Sequence, residues 1–228
     1  MSDISQRLIQ VRERITQALI AAQRPLNTVS LVAVSKTQSI SNIQEAYNGQ
    51  QRSFGENYPQ EAQLKILALS DLSLDWHFIG RVQSNKTALI ARCFGWVHTI
   101  DRLDIAQRLS QQRPKDLPPI QCCIQVNLSQ ETTKGGVYPK EVIHLAKALI
   151  NLPGIRLRGL MTIPAPTNEV KEQRAIFAKL RHLLEGLNTC GYTLDTLSMG
   201  MSNDLEAAIA EGATIVRVGT DIFGARPV

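Results

Sequence analysis

The sequence predicts an α/β fold, a single-domain (β/α)8 barrel of the TIM type with one extra helix at its N-terminus. Three observations carry that prediction. Short apolar runs rich in Val and Ile alternate with amphipathic segments eight times along the chain, and strands that each return to the sheet through a helix run parallel. The length, 228 residues, suits such a barrel as one domain. Polar residues gather where nearly every strand ends, as expected of a barrel, whose chemistry sits at the C-terminal face. An open doubly wound sheet shares the alternation but does not favour that gathering.

Residues 3 to 24 place Ile4, Leu8, Val11, Ile15, Ala18, Leu19 and Ala22 at three- and four-residue spacing, an amphipathic helix that Pro25 ends. The barrel follows from 29 to 224. Its first half reads as strand 31–35, helix 39–49, strand 53–55, helix 59–69, strand 76–79, helix 85–93, strand 97–100 and a helix capped by the Asp101 side chain. The second half reads as strand 120–127, helix 139–151, strand 156–163, helix 168–187, strand 196–199, helix 203–211 and strand 215–218. Too few residues follow for a full last helix, so the N-terminal helix is expected to cover that part of the wall. No linker, low-complexity tract or longer repeat interrupts residues 1–228, which are read as one domain.

At 43% hydrophobic and 20% charged residues, the composition is that of a globular protein able to bury a large core. The N-terminus is a helix start rather than a leader, and no stretch approaches the roughly 20 apolar residues of a membrane span. A cytoplasmic location is expected. Lys and Arg number 25 against 20 Asp and Glu, but the basic residues scatter over helices without interleaved aromatics, which argues against nucleic acid. Cys93, Cys122, Cys123 and Cys190 form no C-x-x-C pair and have no His at ligand spacing, so neither a metal site nor a disulfide framework is expected. Buried thiols are the reading, with Cys122 and Cys123 on opposite faces of strand five.

The first strand, Leu31-Val32-Ala33-Val34-Ser35, runs directly into Lys36. A lysine in water has a pKa near ~10.4, so being neutral at pH 7 costs about 4.6 kcal/mol. Burial at a strand end lowers that cost and leaves an amine able to condense with an aldehyde. A lysine snorkelling to the sheet rim would look the same locally. The exits of strands seven and eight supply the context, because barrels commonly hold phosphate there. Ser198 and Ser202 straddle Gly200, Gly219 and Thr220 follow strand eight, and Arg217 projects inward from it. Taken singly, the Ser-x-Gly-x-Ser segment is more often an N-cap. Together, a lysine for an aldehyde, a phosphate cradle and an arginine between them describe pyridoxal 5′-phosphate.

The segments Val34-Ser35-Lys36-Thr37, Phe54-Gly55-Glu56-Asn57-Tyr58, Trp76-His77-Phe78-Ile79-Gly80, Gln83-Ser84-Asn85-Lys86, Ser198-Met199-Gly200-Met201-Ser202 and Val216-Arg217-Val218-Gly219-Thr220 resemble the YggS/PROSC family of pyridoxal-phosphate-binding proteins, single-domain relatives of the alanine racemase N-terminal barrel. Val82 stands where that family often has leucine, and Pro59 follows Asn57-Tyr58. The resemblance implies that Lys36 carries the cofactor as an internal aldimine and that Ser202, Gly219 and Thr220 bind its phosphate. It further implies that Arg217 faces the pyridine nitrogen, Asn57 lies beside the cofactor, and Ser198 is another phosphate contact. The Lys134-Gly135-Gly136 turn is similar to the family's strand-five loop, but a plain surface turn is the better reading of it. His77 falls near the site, while His98, His144 and His182 read as structural or exposed.

Two functional classes stay open, a non-catalytic carrier and an amino-acid racemase. Arginine keeps its proton, so a pyridine nitrogen opposite Arg217 accepts a hydrogen bond and stays unprotonated. The ring is then a weak electron sink. The resemblance implies that racemases of this fold add a β-rich domain bearing a tyrosine base, whereas this sequence ends at Val228. A cofactor-free lysine aldolase would leave Arg217 and the serines unexplained. The expectation is a protein of vitamin B6 homeostasis without appreciable turnover, with racemase as the alternative. Pyridoxal phosphate and the apoenzymes that use it are its expected partners, and a monomer its expected state.

Overall fold

The computed structural model describes residues 3–129 and 135–224. Eight strands are hydrogen-bonded in sequence order and the eighth returns to the first, closing a barrel. They are β1 (Ser30–Val34), β2 (Ser53–Glu56), β3 (Asp75–Phe78), β4 (Trp96–Ile100), β5 (Ile120–Gln125), β6 (Ile155–Met161), β7 (Thr196–Ser198) and β8 (Ile215–Val218). All neighbours are parallel, including β1 with β8, where Val32 stands opposite Arg217. The open-sheet rival is thereby excluded.

The helices are α1 (Asp3–Ala21), α2 (Ile40–Asn48), α3 (Pro59–Ala68), α4 (Thr87–Cys93), α5 (Leu103–Gln112), α6 (Val142–Leu149), α7 (Val170–Thr189), α8 (Leu205–Ala210) and the four-residue α9 (Thr220–Phe223). Short 3-10 turns at Ser84–Lys86 and Pro139–Glu141 lead into α4 and α6. Because α9 is so short, α1 packs on α2, α8 and α9 and covers the wall with Ile4, Leu8, Val11, Ile15, Ala18 and Leu19. That helix stops earlier than Pro25 requires. Gln23 turns left-handed at φ 53°, and the Gln23 and Arg24 amides reach back to Ile20 and Leu19, a Schellman closure.

Most buried apolar side chains form one continuous layer between strands and helices. Val32, Ile79, Cys123, Met161 and Ile215 are buried outside that layer, and they fill the barrel interior together with His77, His98, Ser198 and Arg217. Cys122 and Cys123 do occupy opposite faces of β5, and burial pushes the Cys122 thiol up to about 12. The other two cysteines correct the expectation of buried thiols, since Cys93 is half-buried and Cys190 exposed. Asp101 is also not a cap. Helix α5 opens after Arg102 without a side-chain cap, and the Asp101 carboxylate accepts from the Arg102 guanidinium at 3.2 Å instead.

Candidate functional site

β1 ends at Val34, so Ser35 and Lys36 sit on the turn beyond it, at the C-terminal mouth of the barrel. Lys36 is half-buried there. Closure makes β8 the neighbour of β1, so the exits of β8 and of β7 beyond it lie to one side of this turn. A cavity of about 260 Å³ opens between them, lined by Val34, Lys36, Gln38, Met201, Ser202, Asn203, Arg217, Gly219, Thr220 and Gly224. Of the seven residues predicted for the site, Lys36, Ser202, Arg217, Gly219 and Thr220 meet in this one cavity. A larger groove of about 810 Å³ lies on the outside of the wall among Glu13, Arg14, Arg174 and Glu206, where Arg14 pairs with Glu206 and Asp221 and Arg174 with Glu211.

The loop from β7 to α8 owes its path to Gly200. Its φ is +96°, and a Cβ there would lie 2.7 Å from the Ala208 Cβ, so only glycine permits the turn that brings Ser202 to the mouth. The Asp204 carboxylate accepts from the Met201 amide at 2.6 Å and holds the loop closed. On the next strand α9 opens after Gly219 without a side-chain cap, and Thr220, as its first residue, has an amide with no intrahelical acceptor. Hydroxyls of Ser202 and Thr220 and this backbone amide form a polar wall suited to an anion.

Arg217 is 3% exposed and projects from β8 into the interior. Its Nη1 donates to Ser198 Oγ at 2.7 Å and its Nη2 to the Thr162 carbonyl at 3.0 Å. Burial lowers its pKa to about 10, opposed by the Asp204 charge, so it stays cationic at neutral pH. Ser198 does not line the cavity. It is fully buried beneath it, with its hydroxyl engaged by Arg217 and by His98 Nδ1 at 2.7 Å. His98 Nε2 in turn lies 2.9 Å from His77 Nδ1. One consistent set of donors runs from Arg217 to Ser198, from Ser198 to His98 and from His98 to His77. Burial holds His77 down to about 3 and His98 well below its ordinary value, so both imidazoles are neutral.

Asn57 follows β2 and is likewise absent from the cavity lining. Its backbone rests on Gly80, where a Cβ would come within 2.3 Å of the Asn57 carbonyl oxygen. Asn57 Oδ1 is buried with no partner among the described residues. Two lining residues, Gln38 and Asn203, were not singled out by sequence. Gln38 stands two residues beyond Lys36 on the same turn, a signal that proximity could have supplied. Lys134 of the strand-five turn lies outside the described residues; in the same turn Gln125 Nε2 donates to the Gly135 carbonyl at 3.0 Å. Among the described residues, no group of His, Cys, Asp and Glu side chains could hold a metal ion, and no helix is long and apolar enough to cross a membrane.

The sequence model of the alanine racemase N-terminal domain matches residues 10–227. A Pseudomonas aeruginosa protein named pyridoxal phosphate homeostasis protein is 56% identical over 226 residues, covering 99% of this chain and 97% of its own. The Escherichia coli protein of the same name is 50% identical over 229 residues, at 99% and 98% coverage. The structure of PipY from Synechococcus elongatus with PLP bound superposes with a TM-score of 0.85 at 37% identity, covering 97% of this chain and all of PipY. Alanine racemase from Corynebacterium glutamicum shares the fold at 20% identity and a TM-score of 0.66, and this chain spans 62% of it. The matching barrel and the near-full-length identities place the chain in the alanine racemase N-terminal domain family, on the branch of the pyridoxal phosphate homeostasis proteins.

Proposed function

We propose that this protein binds pyridoxal 5′-phosphate reversibly, attaching it covalently to Lys36, and serves vitamin B6 homeostasis without appreciable turnover of its own. The observation that carries the reading is the meeting of Lys36, Arg217, Ser202, Gly219 and Thr220 in one cavity at adjacent strand ends. The donor set fits the cofactor. An amine faces a polar wall of hydroxyls and a backbone amide, with a buried cation between them and an unpartnered amide oxygen, Asn57 Oδ1, nearby in the fold. Relatives at 50% identity and above carry the homeostasis name, and the PipY structure holds PLP.

When bound, the cofactor supplies an aldehyde and a phosphate dianion. Lys36 would hold the group through its Nζ at the aldehyde carbon, with the aldehyde oxygen lost as water. Ser202 and Thr220 would donate hydroxyl hydrogen bonds to the phosphate, with Gly219 allowing close approach. Two of the five donors of Arg217 go to Ser198 and Thr162, which leaves others to face the pyridine nitrogen. A guanidinium with a pKa of about 10 does not protonate that nitrogen at pH 7, and the ring stays a weak electron sink. Ser198 thus serves Arg217 rather than phosphate. Delivery to apoenzymes by a monomeric, cytoplasmic, one-domain carrier completes the reading. The likeness to alanine racemase is one of fold alone.

Mixing the apoprotein with pyridoxal phosphate should yield a visible absorbance band, and borohydride reduction should fix the label on Lys36. The Lys36→Ala variant should show neither. Incubation with L-alanine in deuterated solvent should give no α-proton exchange at enzyme rates, roughly 1 s⁻¹ or faster. Label on another lysine would reassign the site, and exchange at such rates would overturn the carrier in favour of a racemase.

A further inference from the structure

The turn that presents Lys36 is gripped from behind by a buried charge cluster on β2 and α3. Lys65 Nζ lies 2.8 Å from Glu56 Oε1 and 2.6 Å from Glu61 Oε1. Lys65 is 5% exposed and Glu56 fully buried. Each of the three charged groups also binds a residue flanking Lys36. Ser35 Oγ donates to Glu56 Oε1 at 2.6 Å, Lys65 Nζ donates to the Ser35 carbonyl at 2.7 Å, and the Thr37 amide donates to Glu61 Oε1 at 2.6 Å.

Stability alone does not explain this arrangement. Taking charges out of water is costly, and well-packed apolar residues of similar size commonly do as well or better. Glu56 Oε2 is buried without a partner among the described residues, so the cluster is not optimised for its own sake. Burial raises the Glu56 pKa, with bonds from Lys65 and Ser35 pulling it back. Thr37 adds an independent sign, since it sits at φ 63°, a left-handed conformation that is strained for a β-branched residue. Such strain persists where the surroundings over-determine it, and the Glu61 carboxylate on the Thr37 amide is the bond that does so here.

We propose that Lys65, Glu56 and Glu61 are positioning residues for Lys36, locking the turn from Ser35 to Thr37 so that the lysine amine is held toward the cavity before any ligand arrives. The three residues touch the turn and not the cavity lining, so they act through Lys36. This inference rests on the covalent attachment proposed above. Losing the lock should slow attachment without weakening the polar wall that receives phosphate, because the wall is built from β7 and β8 on the other side of the cavity.

The test uses Glu61→Ala, which removes the Thr37 acceptor at a partly exposed position, and Glu56→Leu/Lys65→Met, which replaces the buried pair by apolar bulk. Two probes separate positioning from binding: pyridoxal phosphate, followed by its attachment rate at Lys36, and pyridoxine phosphate, which lacks the aldehyde and reports the cavity alone. Amide exchange of Thr37 in the apoprotein gives a readout independent of either. The expected result is attachment slowed about ten- to hundredfold, pyridoxine phosphate affinity within about twofold of wild type, faster Thr37 exchange, and recovery in Glu61→Gln, which restores an acceptor. Wild-type attachment rates in either variant that folds, or an equal loss for both ligands, would overturn the proposal. A wild-type protein that never attaches pyridoxal phosphate would instead overturn the functional reading beneath it.

Discussion

The Arg14 guanidinium, carried by a helix outside the barrel, donates to the Ser202 carbonyl at 2.9 Å. The same group pairs with Asp221 in α9 and with Glu206 in α8. One N-terminal side chain therefore ties together both segments of the polar wall, the exit of β7 and the start of α9. The extra helix does more than replace a missing eighth wall helix.

Arg14→Met should weaken pyridoxal phosphate retention about three- to tenfold, on the scale of roughly one lost hydrogen bond, about 1 kcal/mol. Its ion pairs are partly exposed, with 36% of the Arg14 side chain accessible, so unfolding stability should drop by less than about 1 kcal/mol. Cofactor dissociation followed by absorbance, beside denaturant melts, separates the two. An unchanged dissociation rate would show that the wall holds its shape without the staple.

Ser202→Ala combined with Thr220→Ala should cost about a hundredfold or more in affinity, since hydrogen bonds to a charged group contribute about 1.5–3 kcal/mol each. Neither hydroxyl is deeply buried, so the fold should remain. Competition by inorganic phosphate should weaken in parallel. A variant that keeps its phosphate affinity would place the phosphate elsewhere.

Acid should destabilise this protein through its interior histidines. His77 is held at about 3 in the folded state against an ordinary 6.5, so below pH 6.5 the unfolded chain takes up a proton that the folded one refuses. Stability present above pH 6.5 is then lost as pH falls toward 3, at about 1.4 kcal/mol per pH unit for His77. His98, pushed down first by burial, then by the adjoining His77 ring, which would resist a second proton beside it, and by the Arg217 charge, acts in the same direction. Unfolding free energies measured between pH 7 and pH 5 should slope less steeply in His77→Asn than in wild type. Parallel slopes would mean that the imidazole protonates without unfolding.

Local rules made much of this legible in advance. The core side of α1 is read from apolar spacing alone, because a helix repeats every 3.6 residues whatever it packs on. The neighbours of Lys36 from the exits of β7 and β8 follow once eight parallel strands are counted and closed. Asp101 shows where such rules fail. A carboxylate one residue ahead of a helix looks like a cap in sequence, and whether it caps depends on which guanidinium reaches it first.

Periodicity and strand order, both readable along the chain, set the barrel, the strand ends and the gathering of Lys36, Ser202, Arg217, Gly219 and Thr220 at one mouth. Which polar groups are buried, and with whom, came from packing. Closure sets the Ser198 hydroxyl against His98, 100 residues away, and against Arg217. Lys65 was an unremarked helix residue until packing sealed it between Glu56 and Glu61, and Arg14 reaches Ser202 across 188 residues. Hydrogen bonds and ion pairs are made over about 3 Å of space rather than along the chain, and no local pattern records which distant groups closure will bring within that reach.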